Sequence, residues 1–265
     1  MTNYLLITRS SIFQEYCISK LYNANKLTHV IYEAGTSVQL NRYKIIKKNI
    51  MNIFLEFKNP INFFYKIYLF FNYNKFYGNN NFHNNRILGK FNKIDSNLLI
   101  KHKVENINND TVINLIKKIK PKIVYVFGTG MISKNLINSI NLKIINMHWG
   151  ISPKYRGEGI ITALAYSDFK HLGVTIHELN EKSDAGRIAY STTIKVDKLD
   201  NFYSIGLKMT VLGTELFIKY CNQISDPVFI EQDLSEGRLY NRKYMRLNSI
   251  LYKRAWKNIK SIKND

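Results

Sequence analysis

YLLITRSSIFQEYCISKLYNANKLTHVIY, Tyr4 to Tyr32, decides the fold class. Tyr4 to Thr8 is a short unbroken apolar run, the pattern of a strand buried on both faces. Ser10 and Ser11 then offer an N-cap hydroxyl, and Ile12, Phe13, Tyr16 and Leu21 recur at helical spacing through about Asn23,. His29 to Tyr32 is a second apolar strand. Strand, helix, strand in this order predicts a doubly wound, mostly parallel α/β sheet. No glycine-rich turn follows the first strand. A backbone approaching a dinucleotide pyrophosphate needs those glycines, so an NAD-dependent dehydrogenase is disfavoured.

Outward from that unit, Arg42 to Tyr77 is dominated by Lys, Asn and aromatic residues, and Pro60 divides it into two helical candidates,. Residues 42–85 read as a helical aromatic insertion, with Gly78 to Asn85 as an Asn-rich loop,. A helix over Thr111 to Lys120 stops at Pro121. Ile123 to Phe127 is a buried strand, Ser133 to Ile140 a helix, and Lys143 to Met147 another strand,. Gly173 to His177 and Arg187 to Val196 read as strands, and Asp200 to Cys221 as a helix. Strand-like pieces around Val228 to Ile230 and Arg238 to Tyr240 precede a polar helix. The division expected is a catalytic unit over residues 1–200 and a C-terminal helix with a small strand-and-helix appendage over 201–265.

The chain has 265 residues with a formal charge of +20. That charge points weakly to nucleic acid, because lysine exceeds arginine about threefold, asparagine is as common as lysine, and the basic residues are spread throughout,. A small anionic substrate gains on-rate from the same field. Cys17 and Cys221 are too far apart for a metal motif or a disulfide framework, which implies a reducing cytoplasm and no metal,. No apolar run has the roughly 20 residues of a membrane span, and no signal-peptide pattern opens the chain.

The chemistry lies in INMHWGISPKYRGEGIITALAYSDFKHLGVTIHELNEKSDAGRIAYS, Ile145 to Ser191. Asn146 and His148 are two apart at the carboxyl end of a strand, so they share a face. Open α/β sheets place ligands at such ends. A carboxamide can hold a developing oxyanion while an imidazole moves a proton, and Asp184, on a turn before Gly186, can orient that imidazole. Spacing alone is weak evidence, since a histidine at a strand end is commonly structural. His171 and His177 are read as structural.

Asn146-Met147-His148, Ser152-Pro153-Lys154-Tyr155-Arg156-Gly157, Gly173-Val174-Thr175-Ile176-His177 and Asp184-Ala185-Gly186 occur in that order. This pattern resembles the 10-formyltetrahydrofolate-dependent formyltransferase family, and most of all its nucleotide-sugar N-formyltransferases. The resemblance implies a Rossmann-like formyltransferase fold and direct formyl transfer, with Asn146, His148 and Asp184 catalytic. It puts the folate beside Phe127, Gly128, Thr129, Gly130, Met131 and Ile132, and beside the loop carrying Glu181. It assigns the acceptor to Trp149, Gly150, Ser152, Tyr155 and Arg156, although Arg156 serves equally as a tie between loop and sheet. Trp149 to Pro153 departs from the commonest family loop, which puts acceptor contacts in question rather than the chemistry. The expected substrate is a nucleotide-linked amino-dideoxy sugar, such as dTDP-4-amino-4,6-dideoxyglucose, for O-antigen or surface polysaccharide. The residues after the helix ending near Ile224 are too few for the barrel that methionyl-tRNA formyltransferases append. Methionyl-tRNA or another amine is the alternative acceptor, and a non-catalytic basic module for RNA or membranes is the competing class. Gly237 to Tyr244 is expected to pair across a homodimer, with no polymeric nucleic acid and no membrane insertion.

Overall fold

The computed structural model describes residues 3–34, 60–91, 94, 99–223, 227–241 and 249–262. The first half of the aromatic stretch, from Arg42 to residue 59, lies outside these residues, as do residues 242–244 of the segment expected at a dimer interface. β1 (Tyr4–Thr8), α1 (Ile12–Asn23) and β2 (His29–Glu33) form the opening unit. Ser11 caps α1, its side chain accepting from the Phe13 N–H,. α2 (Pro60–Tyr77), α3 (Asn80–Ile87), β3 (Ile100–Val104), α4 (Asp110–Ile119), β4 (Ile123–Phe127), α5 (Lys134–Ser139) and β5 (Ile144–Trp149) follow. Then come β6 (Tyr155–Gly157), α6 (Ile160–Ala165), β7 (Gly173–Glu178), β8 (Ile188–Thr193), α7 (Phe202–Asn222), β9 (Arg238–Tyr240) and α8 (Ser249–Lys260).

The main sheet has seven strands in the order β3-β2-β1-β4-β5-β7-β8. β3 through β5 pair in parallel, and β7 and β8 are antiparallel. The doubly wound, mostly parallel α/β architecture expected from the sequence is therefore present. Strand order reverses between β1 and β4, which opens a crevice at their carboxyl ends. The sheet buries both faces. Leu6, Tyr125, Ile145 and Met147 pack with Cys17, Ile18 and Leu21 of α1 and with Ile205, Met209 and Phe217 of α7. Leu5, Ile7, Val124, Val126 and Ile144 pack with Val112 and Ile116 of α4 and Leu136 of α5. Each such fully buried aliphatic side chain stabilises the fold by about 1.5–3 kcal/mol. β6 and β9 form a separate two-stranded parallel sheet, so the chain after α7 returns to the loop after β5.

One expectation fails, and one strand was not expected. The Asn-rich stretch read as a loop contains α3, which packs on α7. Tertiary contacts override its poor helix propensity. Tyr203 donates to Asn84 at 2.7 Å, and Arg86 pairs with Asp197 and with the fully buried Asp200. Asp200 also takes Lys208 Nζ at 2.6 Å and Ser204 Oγ at 2.9 Å, so one buried carboxylate ties α3 to the start of α7. β3 escaped notice because Lys101 and Lys103 alternate with Ile100 and His102, leaving no apolar run. It is one of the two edge strands, where lysines discourage pairing with another chain,.

Candidate active site

β5 presents Met147 and Trp149 to the α1/α7 side, so alternation turns Asn146 and His148 to the other face,. The antiparallel register with β7 sets Asn146 opposite His177 and His148 opposite Thr175. Thr175 Oγ1 donates to the Gly150 carbonyl at 2.7 Å and accepts from the Ser152 N–H at 3.0 Å, pinning the loop after β5.

His177 is fully buried. Its Nδ1 lies 2.7 Å from the Glu178 carbonyl, which can only accept, so Nδ1 carries a hydrogen,. In the neutral ring Nε2 is then an acceptor, and it takes the Asn146 Nδ2–H at 3.0 Å. That bond fixes which way the carboxamide faces and leaves its second N–H for another acceptor. His148 Nε2 is 2.9 Å from the Tyr155 carbonyl, while Nδ1 is 3.5 Å from Asp184 Oδ2. Asp184 Oδ1 lies 3.5 Å from His177 Nε2, and Oδ2 accepts from the Gly157 N–H at 2.9 Å. The carboxamide, imidazole and carboxylate singled out in the sequence thus converge, with His177 between the first and the last.

Asp184 has φ +51°, a left-handed conformation that aspartate tolerates better than most residues,. Burial alone would raise its carboxyl pKa. The neighbouring His148 and His177 rings and the Gly157 N–H outweigh that effect and hold the carboxyl well below the usual carboxylate range,.

The remaining candidates divide. Trp149 lies on the opposite face from His148, edge-on to Phe13 at 5.2 Å and 5.8 Å from the Phe127 ring. Gly150 sits against His148: a Cβ there would lie 2.6 Å from His148 Nε2 and 2.5 Å from the Tyr155 carbonyl oxygen. Ser152 is buried. Tyr155 is buried too, its hydroxyl donating to Asp168 at 2.9 Å and its ring stacked on Tyr240 at 5.6 Å. Arg156 is half-buried on β6, its Nε without a hydrogen-bond partner among the described residues.

The loop after β4 lies at the crevice between β1 and β4. Phe127 is in the core, and its carbonyl accepts from Thr8 Oγ1 at 2.7 Å. Gly128 has φ +68°, and Thr129 Oγ1 donates to the Gly130 carbonyl at 2.8 Å. The Gly130 N–H donates to Glu33 at 2.9 Å, and Glu33 is paired with Arg9 at the end of β1. Met131 is 79% exposed, whereas Ile132 packs beneath the loop. Glu181 is exposed and pairs with Lys134 of α5, with Asn138 Nδ2 at 3.4 Å. It joins the loop after β7 to the helix after β4.

Sequence reasoning set His177 aside as structural. The available signal was its spacing of two from Thr175, mirroring Asn146 and His148 on the neighbouring strand.

The doubly wound sheet thus carries a carboxamide, an imidazole and a carboxylate gathered at one strand end. The formyl transferase family model matches residues 71–220, more than half of the chain, and the chain belongs to that family. Methionyl-tRNA formyltransferase from Caldicellulosiruptor saccharolyticus is 28% identical over 130 residues, 49% of this chain and 42% of that protein. The Kosmotoga olearia methionyl-tRNA formyltransferase is 30% identical over 122 residues, 46% of this chain and 39% of its own length. The chain therefore spans less than half the length of these curated relatives. The 4-N formyltransferase from Francisella tularensis shares the fold with a TM-score of 0.57 at 18% identity, over 96% of this chain and 87% of that one. A sugar N-formyltransferase from Shewanella gives 0.53 at 14% identity, over 96% and 87%.

Among the described residues no helix is long and apolar enough to cross a membrane.

Proposed function

We propose that the chain transfers the formyl group of 10-formyltetrahydrofolate to the amino group of a nucleotide-linked amino-dideoxy sugar. The observation that carries this reading is the convergence of Asn146, His148 and Asp184 within 3.0–3.5 Å contacts, bridged by His177. The folate supplies an activated formyl carbon. Asn146 directs its free N–H to the oxygen that gains charge when the amine attacks, and His148 takes the amine's proton and returns it to the folate nitrogen as the bond from that nitrogen to the formyl carbon breaks. His148 Nε2 donates to the Tyr155 carbonyl here, so to act as the base the ring must leave that carbonyl and carry its hydrogen on Nδ1, facing Asp184, with Nε2 open to the amine,. Such bonds commonly rearrange when substrate binds. Asp184 orients the ring and balances the charge it gains.

The β4 loop suits the folate. Gly128 and Gly130 let backbone groups approach a planar ring, and exposed Met131 offers it an apolar surface,. The sugar acceptor draws support from two solved structures that align with nearly all of this chain, a 4-N formyltransferase and a sugar N-formyltransferase. The identities near 30% to methionyl-tRNA formyltransferases favour the second acceptor, an aminoacyl-tRNA.

The test mixes protein and 10-formyltetrahydrofolate with a panel of amino-sugar nucleotides, including dTDP-4-amino-4,6-dideoxyglucose, and separately with methionyl-tRNA. Tetrahydrofolate release and the formyl mass gain are followed together. Turnover with a sugar nucleotide supports the proposal, and turnover with the tRNA alone supports the second acceptor. No transfer to any amine would sink both.

A further inference from the structure

We infer that Gln232, in the segment between α7 and β9, is a positioning residue that clamps the Asp184 turn and so completes the site. The inference rests on the catalytic reading of Asp184. Gln232 Nε2 donates to the Asp184 carbonyl at 3.1 Å and to the Gly186 carbonyl at 2.6 Å, so the two hydrogens of one amide bridge both sides of the turn,. The turn needs such a tie. Asp184 is left-handed, and Gly186 is pressed so close to β7 that a Cβ would fall 1.8 Å from the Glu178 carbonyl oxygen.

Gln232 is itself held from both sides. Ile230 and Ile188 exchange N–H···O bonds of 2.8 and 2.9 Å. Beyond it, β9 pairs with β6, and the Glu158 N–H donates to the Tyr240 carbonyl at 3.0 Å. β6 also supplies the Gly157 N–H that binds the Asp184 carboxylate. One strap therefore fixes both ends of that bond: the donor through β9 and the acceptor through Gln232. Gln232 Oε1 is buried without a hydrogen-bond partner among the described residues. Packing alone would be served better by an apolar side chain, so the carboxamide is kept for its N–H groups.

The experiment compares wild type with Gln232→Met, which keeps the bulk, and Gln232→Glu, whose carboxylate repels both carbonyls. Val228→Ser, at a site 87% exposed on the same segment, is the control. Formyl-transfer kinetics, thermal melts and the carbon-13 titration of the Asp184 carboxyl are read for each. Gln232→Met lowers kcat about 10- to 100-fold with a KM for the formyl donor within about threefold, as expected when a catalytic group drifts by a fraction of an ångström. Its Asp184 carboxyl titrates higher than in wild type, because it moves away from the groups that stabilise its charge. Gln232→Glu loses more. Wild-type kcat with an unmoved Asp184 titration in Gln232→Met overturns the inference. So does a loss that only follows the folded fraction. If wild type formylates no amine, the functional reading fails, and the Asp184 titration still decides the clamp.

Discussion

Gly150→Ala tests whether the position of His148 limits catalysis. The new methyl would sit 2.5 Å from the Tyr155 carbonyl oxygen and 2.6 Å from His148 Nε2, two atoms that are hydrogen-bonded to each other at 2.9 Å. Ordinary contact begins at 3.4 Å, so the shortfall is roughly 0.8–0.9 Å on each,. Gly150 also has φ +154°, where an L side chain is strained. The β5–β7 ladder holds the backbone here, which leaves the His148 ring to give way. Misplacing a catalytic group by about 1 Å costs on the order of 10²-fold. The expected result is a kcat lower by about that factor, with overpacking destabilising the protein by about 1–3 kcal/mol. Steady-state formyl-transfer kinetics at saturating amine, paired with a thermal melt, measure both. A kcat within about twofold of wild type in a folded variant would show that the ring has no need of this placement.

His148→Ala and Asp184→Ala each nearly abolish formylation while circular dichroism stays native, and Asn146→Ala lowers kcat on the order of 10²–10³-fold. Asp184 is depressed below the usual range and Asp197 sits at about 2, lowered mainly by Lys208, the Leu199 N–H and Arg86 against an opposing burial effect. Both contribute stability that is full above the unfolded-state value of about 3.9 and fades as pH falls through their native values, so melts should decline steeply below about pH 4. Asp200→Ala leaves Arg86 and Lys208 with Asp197 alone and removes the buried acceptor of Ser204 Oγ, costing about 1–3 kcal/mol in denaturant unfolding,. Burial pushes the Cys17 and Cys221 thiols up to about 12, so a thiol reagent at pH 8 labels them only as the protein unfolds,.

Much of the frame was readable in the chain because its strands are short apolar runs and its helices begin at caps. Tyr4–Thr8, Ile12–Asn23 and Ile123–Phe127 match their predicted spans closely. α3 and β3 were hidden for opposite reasons, one an asparagine-rich helix held by distant acids, the other a charged edge. At the site, spacing placed Asn146 and His148 on one face of a strand, and the turn at Asp184 with the family resemblance joined the carboxylate to them. His177 acquires its role only through the register of β5 on β7, which no local pattern encodes. Gln232 reaches Asp184 across 48 residues, further beyond local reading. Alternation along β5 does predict that Trp149 faces away from His148.

The pairing of β6 with β9 has a consequence for biosynthesis. Every strand of the main sheet precedes residue 194, yet the strand that secures the loop behind His148 is Arg238–Tyr240. Synthesis proceeds from the amino end at about 5–20 residues per second, and domains fold as they emerge. A nascent chain can thus assemble its sheet on the ribosome seconds before this closing strand leaves the exit tunnel. Stalled chains released just short of Arg238 should resist protease across the sheet while leaving the Tyr155–Gly157 loop open to cleavage.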